Sequence, residues 1–335
     1  MRKLLTSLLL GMLAGCADQV ASEKEKDPPS PIEAFLQDQA IEPRSETPVD
    51  PSDPVSLRQP GNEYFSQGRY EDAVKEYSVA LAVKEDAKTY FNRGVAYMSM
   101  KDNEKALADY DKAIQLDPTE ASPFVNRGLL LNHIGKTAQG INDMTEALKL
   151  DPKDASIPLN RGLLYLGIAM YDRAVEDLTK SVELDPKYVD AYINRGYAHH
   201  MRKQYQAAIA DFTTALKLDP AAALAFSNRG NAYTALRKFD KAIDDFNEAI
   251  RLEPRDPQFY ANRGSTYGEK GEHKKAAADF TQALQLNAGF APAYRNRGLA
   301  YVALGEIDSA RADFAAALRL EPNNKEGIPP EHLPK

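Results

Sequence analysis

The chain of 335 residues is poor in the side chains most often recruited to reactive sites, with one cysteine, no tryptophan and five histidines. A single cysteine forbids an internal disulfide and a thiolate metal cluster, and scattered histidines argue against a metal enzyme. An excess of positive charge is missing too. With 42 basic and 49 acidic residues the formal charge is −7, the wrong sign for general nucleic-acid binding, which rests on neutralising phosphates. There is no phosphate loop, no Gly-x-Ser-x-Gly elbow and no metal-ligand spacing. His199 and His200 adjoin in a helical stretch, where successive residues face different ways, so they do not form a joint metal site. The expectation is a non-enzymatic protein without metal or cofactor. What is plentiful is apolar surface: 43 % of residues are hydrophobic and 27 % charged, the balance of a folded chain.

The N-terminus reads Met1-Arg2-Lys3 and then runs apolar from Leu4 to Leu13, broken only by Thr6, Ser7 and Gly11. A basic start, a short apolar run and small residues behind it describe a secretory signal peptide over 1–15. The apolar run falls well short of the ~20 residues that span a bilayer as a helix. Leu13-Ala14-Gly15-Cys16 resembles the lipobox of bacterial lipoproteins. That resemblance implies a diacylglycerol thioether on Cys16 and acylation of its freed amine, a multi-chain anchor where one chain would hold only marginally. It also implies, in a Gram-negative cell, sorting to the outer membrane and the periplasm, because Ala17 and not Asp follows the cysteine.

Residues 16–53 read as a disordered linker. From 17 to 53 there are six prolines, no glycine, one aromatic, ten acidic and three basic residues, net −7. Such a segment cannot bury enough apolar surface to fold and stays extended. Within it, Ser30-Pro31-Ile32-Glu33-Ala34-Phe35-Leu36 has capping-box spacing and apolar residues at helical intervals. It fits either a transient helix or a segment that docks elsewhere on the chain. Residues 54–335 net only −2.

The remainder is periodic. Asn-Arg-Gly begins at 92, 126, 160, 194, 228, 262 and 296, always 34 residues apart. Glycine at position 8 of each period (Gly61 through Gly298) accompanies a small residue at position 20 and a bulky one at position 24 (Tyr77, Tyr110, Met144, Leu178, Phe212, Phe246, Phe280, Phe314). Proline at position 32 stops the second helix in most units. A fixed period of this length marks a solenoid, and the pattern is similar to that of the tetratricopeptide repeat (TPR) family. The resemblance implies an all-α, right-handed superhelix of eight helix-turn-helix repeats behind a lipidated tether. Their bounds are 54–86, 87–120, 121–154, 155–188, 189–222, 223–256, 257–290 and 291–324, with a disordered tail over 325–335. The third repeat departs most from the pattern, at Leu131, Gly140 and Met144, and Pro60 suggests that the first helix starts late.

Arginine at position 7 recurs with aspartate at position 23, seven of each, which points to a repeated ion pair. Two registers fit. Within a repeat, Glu76 is left without an arginine; between repeats, Asp109 meets Arg127 and Asp143 meets Arg161, leaving Asp313 over. The bridging register is the preferred one.

Position 6 is Asn92, Asn126, Asn160, Asn194, Asn228, Asn262 and Asn296. In TPR superhelices this position looks inward, and the row resembles the asparagine ladder in the TPR arm of O-GlcNAc transferases. An amide can clamp the main chain of an extended peptide, or bond its own helix or water; both readings stay open. The other inward positions carry Phe91, Val95, Met98, Val125, Leu129, Leu159, Leu163, Leu166, Ile193 and Tyr197, then turn polar at Ser227, Asn231, Thr234 and Ser265. Either the apolar stretch lines a peptide-binding groove, centred on Asn160, Asn194, Leu163 and Tyr197, or curvature hides it. A chaperone-type carboxylate clamp is partly matched by Arg58, Asn62 and Asn92. It is rejected because Ser122 and Asn126 stand where it needs basic residues and Pro60 would remove Arg58 from the helix.

At the other end, Ala315 and Ala316 replace residues that are polar in earlier repeats, so the last helix offers an apolar face for self-association. The resemblance as a whole is to bacterial TPR lipoproteins that organise cell-wall hydrolases or assist assembly of pili and secretins. It implies a membrane-anchored scaffold binding protein partners in its groove, touching the membrane through its lipid alone; the rival is a self-assembling brace.

Overall fold

The computed structural model describes residues 53–325 and 327–332. The expected leader, Cys16, the linker up to residue 52 and the last three residues lie outside the described residues. Among those described there are sixteen α-helices and no strand. They are α1 (Pro54–Ser66), α2 (Tyr70–Val83), α3 (Ala87–Ser99), α4 (Asn103–Leu116), α5 (Ala121–His133), α6 (Thr137–Leu150), α7 (Ser156–Gly167) and α8 (Tyr171–Leu184). There follow α9 (Val189–Met201), α10 (Tyr205–Leu218), α11 (Ala223–Ala235), α12 (Phe239–Leu252), α13 (Pro257–Lys270), α14 (His273–Leu286), α15 (Ala291–Leu304) and α16 (Ile307–Leu320). No described helix is long and apolar enough to cross a membrane. The chain divides into two compact bodies, one ending at Ala191 and one beginning at Tyr192, within α9.

Each repeat is a pair of antiparallel helices, an odd-numbered first helix and an even-numbered second. The ring at position 24 makes the pair possible: Tyr77 and Tyr110 in the first body, Phe212, Phe246 and Phe314 in the second, are fully buried. Each lies on the position-8 glycine of its own repeat. A Cβ at Gly196 would sit 2.7 Å from the Phe212 ring, closer than packed atoms approach, so only hydrogen fits there. In the third repeat no ring fills this space, and α5 and α6 close on each other through Gly128 and Gly140 instead, with Met144 buried beside them.

The turn inside every repeat puts position 15 in the left-handed region. Gly68, Gly135, Gly271 and Gly305 occupy it in four repeats, but Lys101 (φ 61°), Ala169 (φ 57°), Lys203 (φ 59°) and Arg237 (φ 56°) occupy it in the others. A side chain there costs ~1–2 kcal/mol relative to the right-handed region. The geometry of the hairpin imposes the conformation whether or not glycine is supplied.

Two expectations are corrected at the ends. The first helix does not start late: it begins at Pro54, where the Asp53 carboxylate accepts from the backbone N–H of Val55 and Ser56. Pro60 sits inside it, lacking only the one amide donor it never had. Arg58 is therefore helical, and buried; its Nη1 donates to Asp86 at 2.8 Å. Nor is the tail shapeless. Ile328 is buried against Ala310 and Phe314, and a short 3₁₀ turn, Pro330–His332, stacks the His332 ring on Phe314. The residues that follow α16 thus cover part of its apolar end.

Candidate binding face

The ion pairs settle first. Arg127 donates Nε and Nη2 to the two oxygens of Asp143 at 2.8 and 2.7 Å, and Arg161 does the same to Asp177 at 2.7 and 2.6 Å. The same fork joins Arg93 to Asp109, Arg195 to Asp211, Arg229 to Asp245, Arg263 to Asp279 and Arg297 to Asp313. Every pair lies within one repeat. The bridging register, Asp109 with Arg127 and Asp143 with Arg161, is thus corrected: sixteen residues separate the partners, which places them face to face across one helical hairpin. Hydrogen bonding to the aspartate raises the guanidinium pKa, as at Arg93, Arg161 and Arg297.

The link between repeats is a different atom. Nη1 of the same arginine reaches back to position 25 of the preceding repeat: Arg93 to Ser78, Arg127 to Asp111, Arg161 to Thr145, Arg229 to Thr213, Arg263 to Asn247 and Arg297 to Thr281. Sequence reasoning missed this acceptor. Its signal is a polar residue at position 25 in the first seven repeats, against Ala315 in the eighth. The aromatic at position 4 completes the row, with Arg127 over Phe124 and Arg263 over Tyr260.

The face formed by the first helices differs between the bodies. In the first, Phe91, Val95, Met98, Val125, Leu159, Leu163 and Leu166 are buried, and Leu129 is half-buried. Ile193, at the start of the second body, is buried as well, and Tyr197 is half-buried. Most of the apolar side chains expected to line an open groove are therefore buried. Leu163, chosen as its centre, is 4 % exposed.

The asparagines divide likewise. Asn92 donates to Asn62 at 2.9 Å, which also accepts from the Tyr77 hydroxyl. Asn126 is buried with neither amide atom bonded, because the first helix before it presents Val95 where Asn62 stands for Asn92. Asn160 and Asn194 are buried. In the second body Asn228 is buried with Nδ2 unbonded, while Asn262 and Asn296 are half-buried. There α11 and α13 lay out a polar floor. Asn262 donates to Ser227 at 3.2 Å, Gln258 donates to Asn262 at 2.8 Å, and the hydroxyls of Thr234 and Thr266 meet at 2.8 Å. Asn231, Ser265 and Gly268 are half-buried, and Leu299 on α15 is exposed. Arg295 pairs with Glu321 at 3.0 Å and leaves its buried Nε without a partner. The clamp residues are occupied elsewhere, Arg58 by Asp86 and Asn62 by Asn92.

Comparison with known proteins agrees with this architecture. Models of the tetratricopeptide repeat match residues 61–101, 87–120, 159–188, 189–221, 223–256, 257–290 and 291–324; the matched residues pass over the third repeat. Human tetratricopeptide repeat protein 12 is 44 % identical over 63 residues, 18 % of this chain and 9 % of that protein. The Hsp70-Hsp90 organizing protein 1 of Glycine max is 39 % identical over 71 residues, 21 % of this chain and 12 % of that protein. The chain thus spans about a tenth of the length of these curated relatives. A tetratricopeptide repeat protein from Parabacteroides merdae has the same fold, with TM-score 0.58 at 21 % identity over 74 % of this chain and 98 % of that one. With its helical hairpins, its period and these matches together, the chain belongs to the tetratricopeptide repeat family.

Proposed function

We propose that this chain is a docking scaffold that receives an extended segment of a partner protein along the first-helix face of its second body. Tetratricopeptide repeats mediate protein–protein interactions, and the observation that carries the reading here is the half-open polar floor of α11 and α13. Asn231, Thr234, Asn262 and Ser265 offer amides and hydroxyls of both hydrogen-bonding senses. An extended main chain supplies alternating acceptors and donors without demanding particular side chains. The sequence around Cys16 supports presentation on a bacterial envelope membrane, where tethering raises the effective concentration of a captured partner. Complexes that build or remodel the cell envelope are the setting such a protein suits.

Photo-crosslinking amino acids at Asn231 and Asn262, with exposed Asp244 on the second-helix side as control, test the reading in cells. Adducts to a discrete protein from the first two sites alone are expected; equal yield from Asp244, or none from Asn231 and Asn262, removes it. Leu299→Glu, at an exposed position, should weaken capture without unfolding the domain. Incorporation of a palmitate analogue, lost in Cys16→Ser, tests the anchor separately.

A further inference from the structure

We propose that the edge formed by the hairpin turns of repeats five to seven, all within the second body, is a contact site for the anionic headgroups of a phospholipid bilayer. Around those turns (201–207, 235–241 and 269–275) stand eight basic and three acidic residues, net +5. The matching windows of the first four repeats hold five of each sign, and that of the eighth nets −2. Since residues 54–335 net −2 overall, this concentration of positive charge is local and not a property of the repeats at large.

The three turns follow one another along one edge. Arg229 donates to Thr213 and Arg263 to Asn247, so the same bond joins repeat six to five and seven to six, and Lys270 of repeat seven donates to Asp240 of repeat six at 2.8 Å. Two of the three carboxylates, Asp240 and Glu272, are taken up by Lys270 and Lys275. Lys203, Arg237, Lys238, Lys241 and Lys274 are exposed and have no carboxylate partner among the described residues. Apolar atoms stand beside them. Met201 is 39 % exposed, Tyr205 and Phe239 are half-buried, and the Arg237 guanidinium lies 5.2 Å from the centre of the Phe239 ring.

Cations on three separate hairpins do not converge on a point, as a site for a single carboxylate or phosphate requires; they present a row of charge. A row of unpaired cations beside partly exposed aromatic and thioether groups matches the boundary of a bilayer, where headgroups take the charge and apolar atoms reach the acyl edge. A purely acidic chain answers the charge but leaves those apolar atoms without a partner. Each cation near an anionic headgroup layer raises affinity roughly fivefold, an effect that fades beyond a Debye length. The inference rests on the envelope attachment expected at Cys16 for nearness to a bilayer, and adds an electrostatic contact to it. The polar floor of α11 and α13 lies on the first helices and not on the turns, so partner capture and lipid contact fail separately.

The chain has no tryptophan, so one introduced ring reports its own surroundings. The test places it in the full chain by Met201→Trp at the turn, or by Leu218→Trp at an exposed position at the far end of α10 from that turn. Vesicles of phosphatidylcholine with a third phosphatidylglycerol carry a nitroxide on the headgroup. At low ionic strength quenching from Met201→Trp should exceed that from Leu218→Trp at least threefold. The excess should vanish in vesicles of phosphatidylcholine alone and in ~0.5 M salt, where charges more than a few ångströms apart are screened. It should also vanish in the fourfold Lys203→Glu, Arg237→Glu, Lys238→Glu, Lys241→Glu variant, whose thermal midpoint verifies its fold. Equal quenching at the two sites, or an excess that survives without phosphatidylglycerol or after charge reversal, overturns the proposal. No quenching, with a salt-sensitive shift of the Met201→Trp emission on adding polyglutamate, assigns the edge to an acidic protein segment and overturns it as well.

Discussion

Gly128 and Gly140 approach so closely across α5 and α6 that a Cβ on Gly140 would lie 2.5 Å from the Gly128 carbonyl oxygen. Alanine holds the equivalent place in the other repeats, and helix propensity favours it by ~1 kcal/mol. Packing against a backbone carbonyl outweighs that gain, since overpacking a fitted contact costs ~1–3 kcal/mol. Gly140→Ala should therefore lower stability in urea unfolding by about 1 kcal/mol net. A gain would mean that the two helices separate freely.

The arginine fork and its backward hydrogen bond differ in strength. Arg161→Ala strands Asp177, whose side chain is 7 % exposed, and should cost ~3 kcal/mol, the low end for breaking a buried pair. Thr145→Val removes only the inter-repeat bond and should cost ~1 kcal/mol. In double-mutant cycles the coupling of Arg161 with Asp177 should exceed that with Thr145. The opposite order would return the main ion pair to the junction between repeats.

His200 packs edge-on against Tyr205 with its Nδ1 unbonded, and burial lowers its pKa below 6.5. The folded state therefore favours the neutral ring. Its contribution is fully present above the unfolded pKa of ~6.5 and is lost as pH falls through and below that value. His200→Leu, the residue type that repeat four carries at this position, should flatten the stability profile between about pH 7 and pH 5. Superimposable profiles for the two proteins would show that the ring is not held neutral.

Ile328 plugs the end of the stack. Ile328→Ser should remove ~2 kcal/mol of apolar burial and speed hydrogen exchange in α15 and α16. Helices α11 and α12 should keep their protection, because repeats couple only to neighbours. Uniform acceleration would show that the second body unfolds as one cooperative block.

The eight hairpins were legible because their cause is local: glycine against a bulky side chain, a stop at position 32 in most, and a constant period. What a spacing of 34 could not decide was which copy of Asp meets which copy of Arg, since both registers have the same period. The burial of Leu163 was equally illegible, because side chains in corresponding inward positions are covered or uncovered by the neighbouring first helix. Asn126 shows the same dependence: its type is that of Asn92, and its lack of partners follows from Val95 standing where Asn62 stands one repeat earlier. The tail misled because its composition forbids a helix without forbidding a fitted plug.

Charge neutralisation inside each hairpin has a consequence for how such a chain grows. From the second repeat on, a block of 34 residues carries its own arginine and its own aspartate. Copying or deleting a whole block therefore never leaves a buried carboxylate alone. The seam between blocks severs neutral hydrogen bonds for the most part, among them the bond to position 25, usually a hydroxyl that water can satisfy. Duplication thus leaves the buried ion pairs whole and breaks only pairs with exposed carboxylates, such as Arg127 with Asp111, which makes whole repeats, rather than helices, the natural unit for lengthening or shortening this protein.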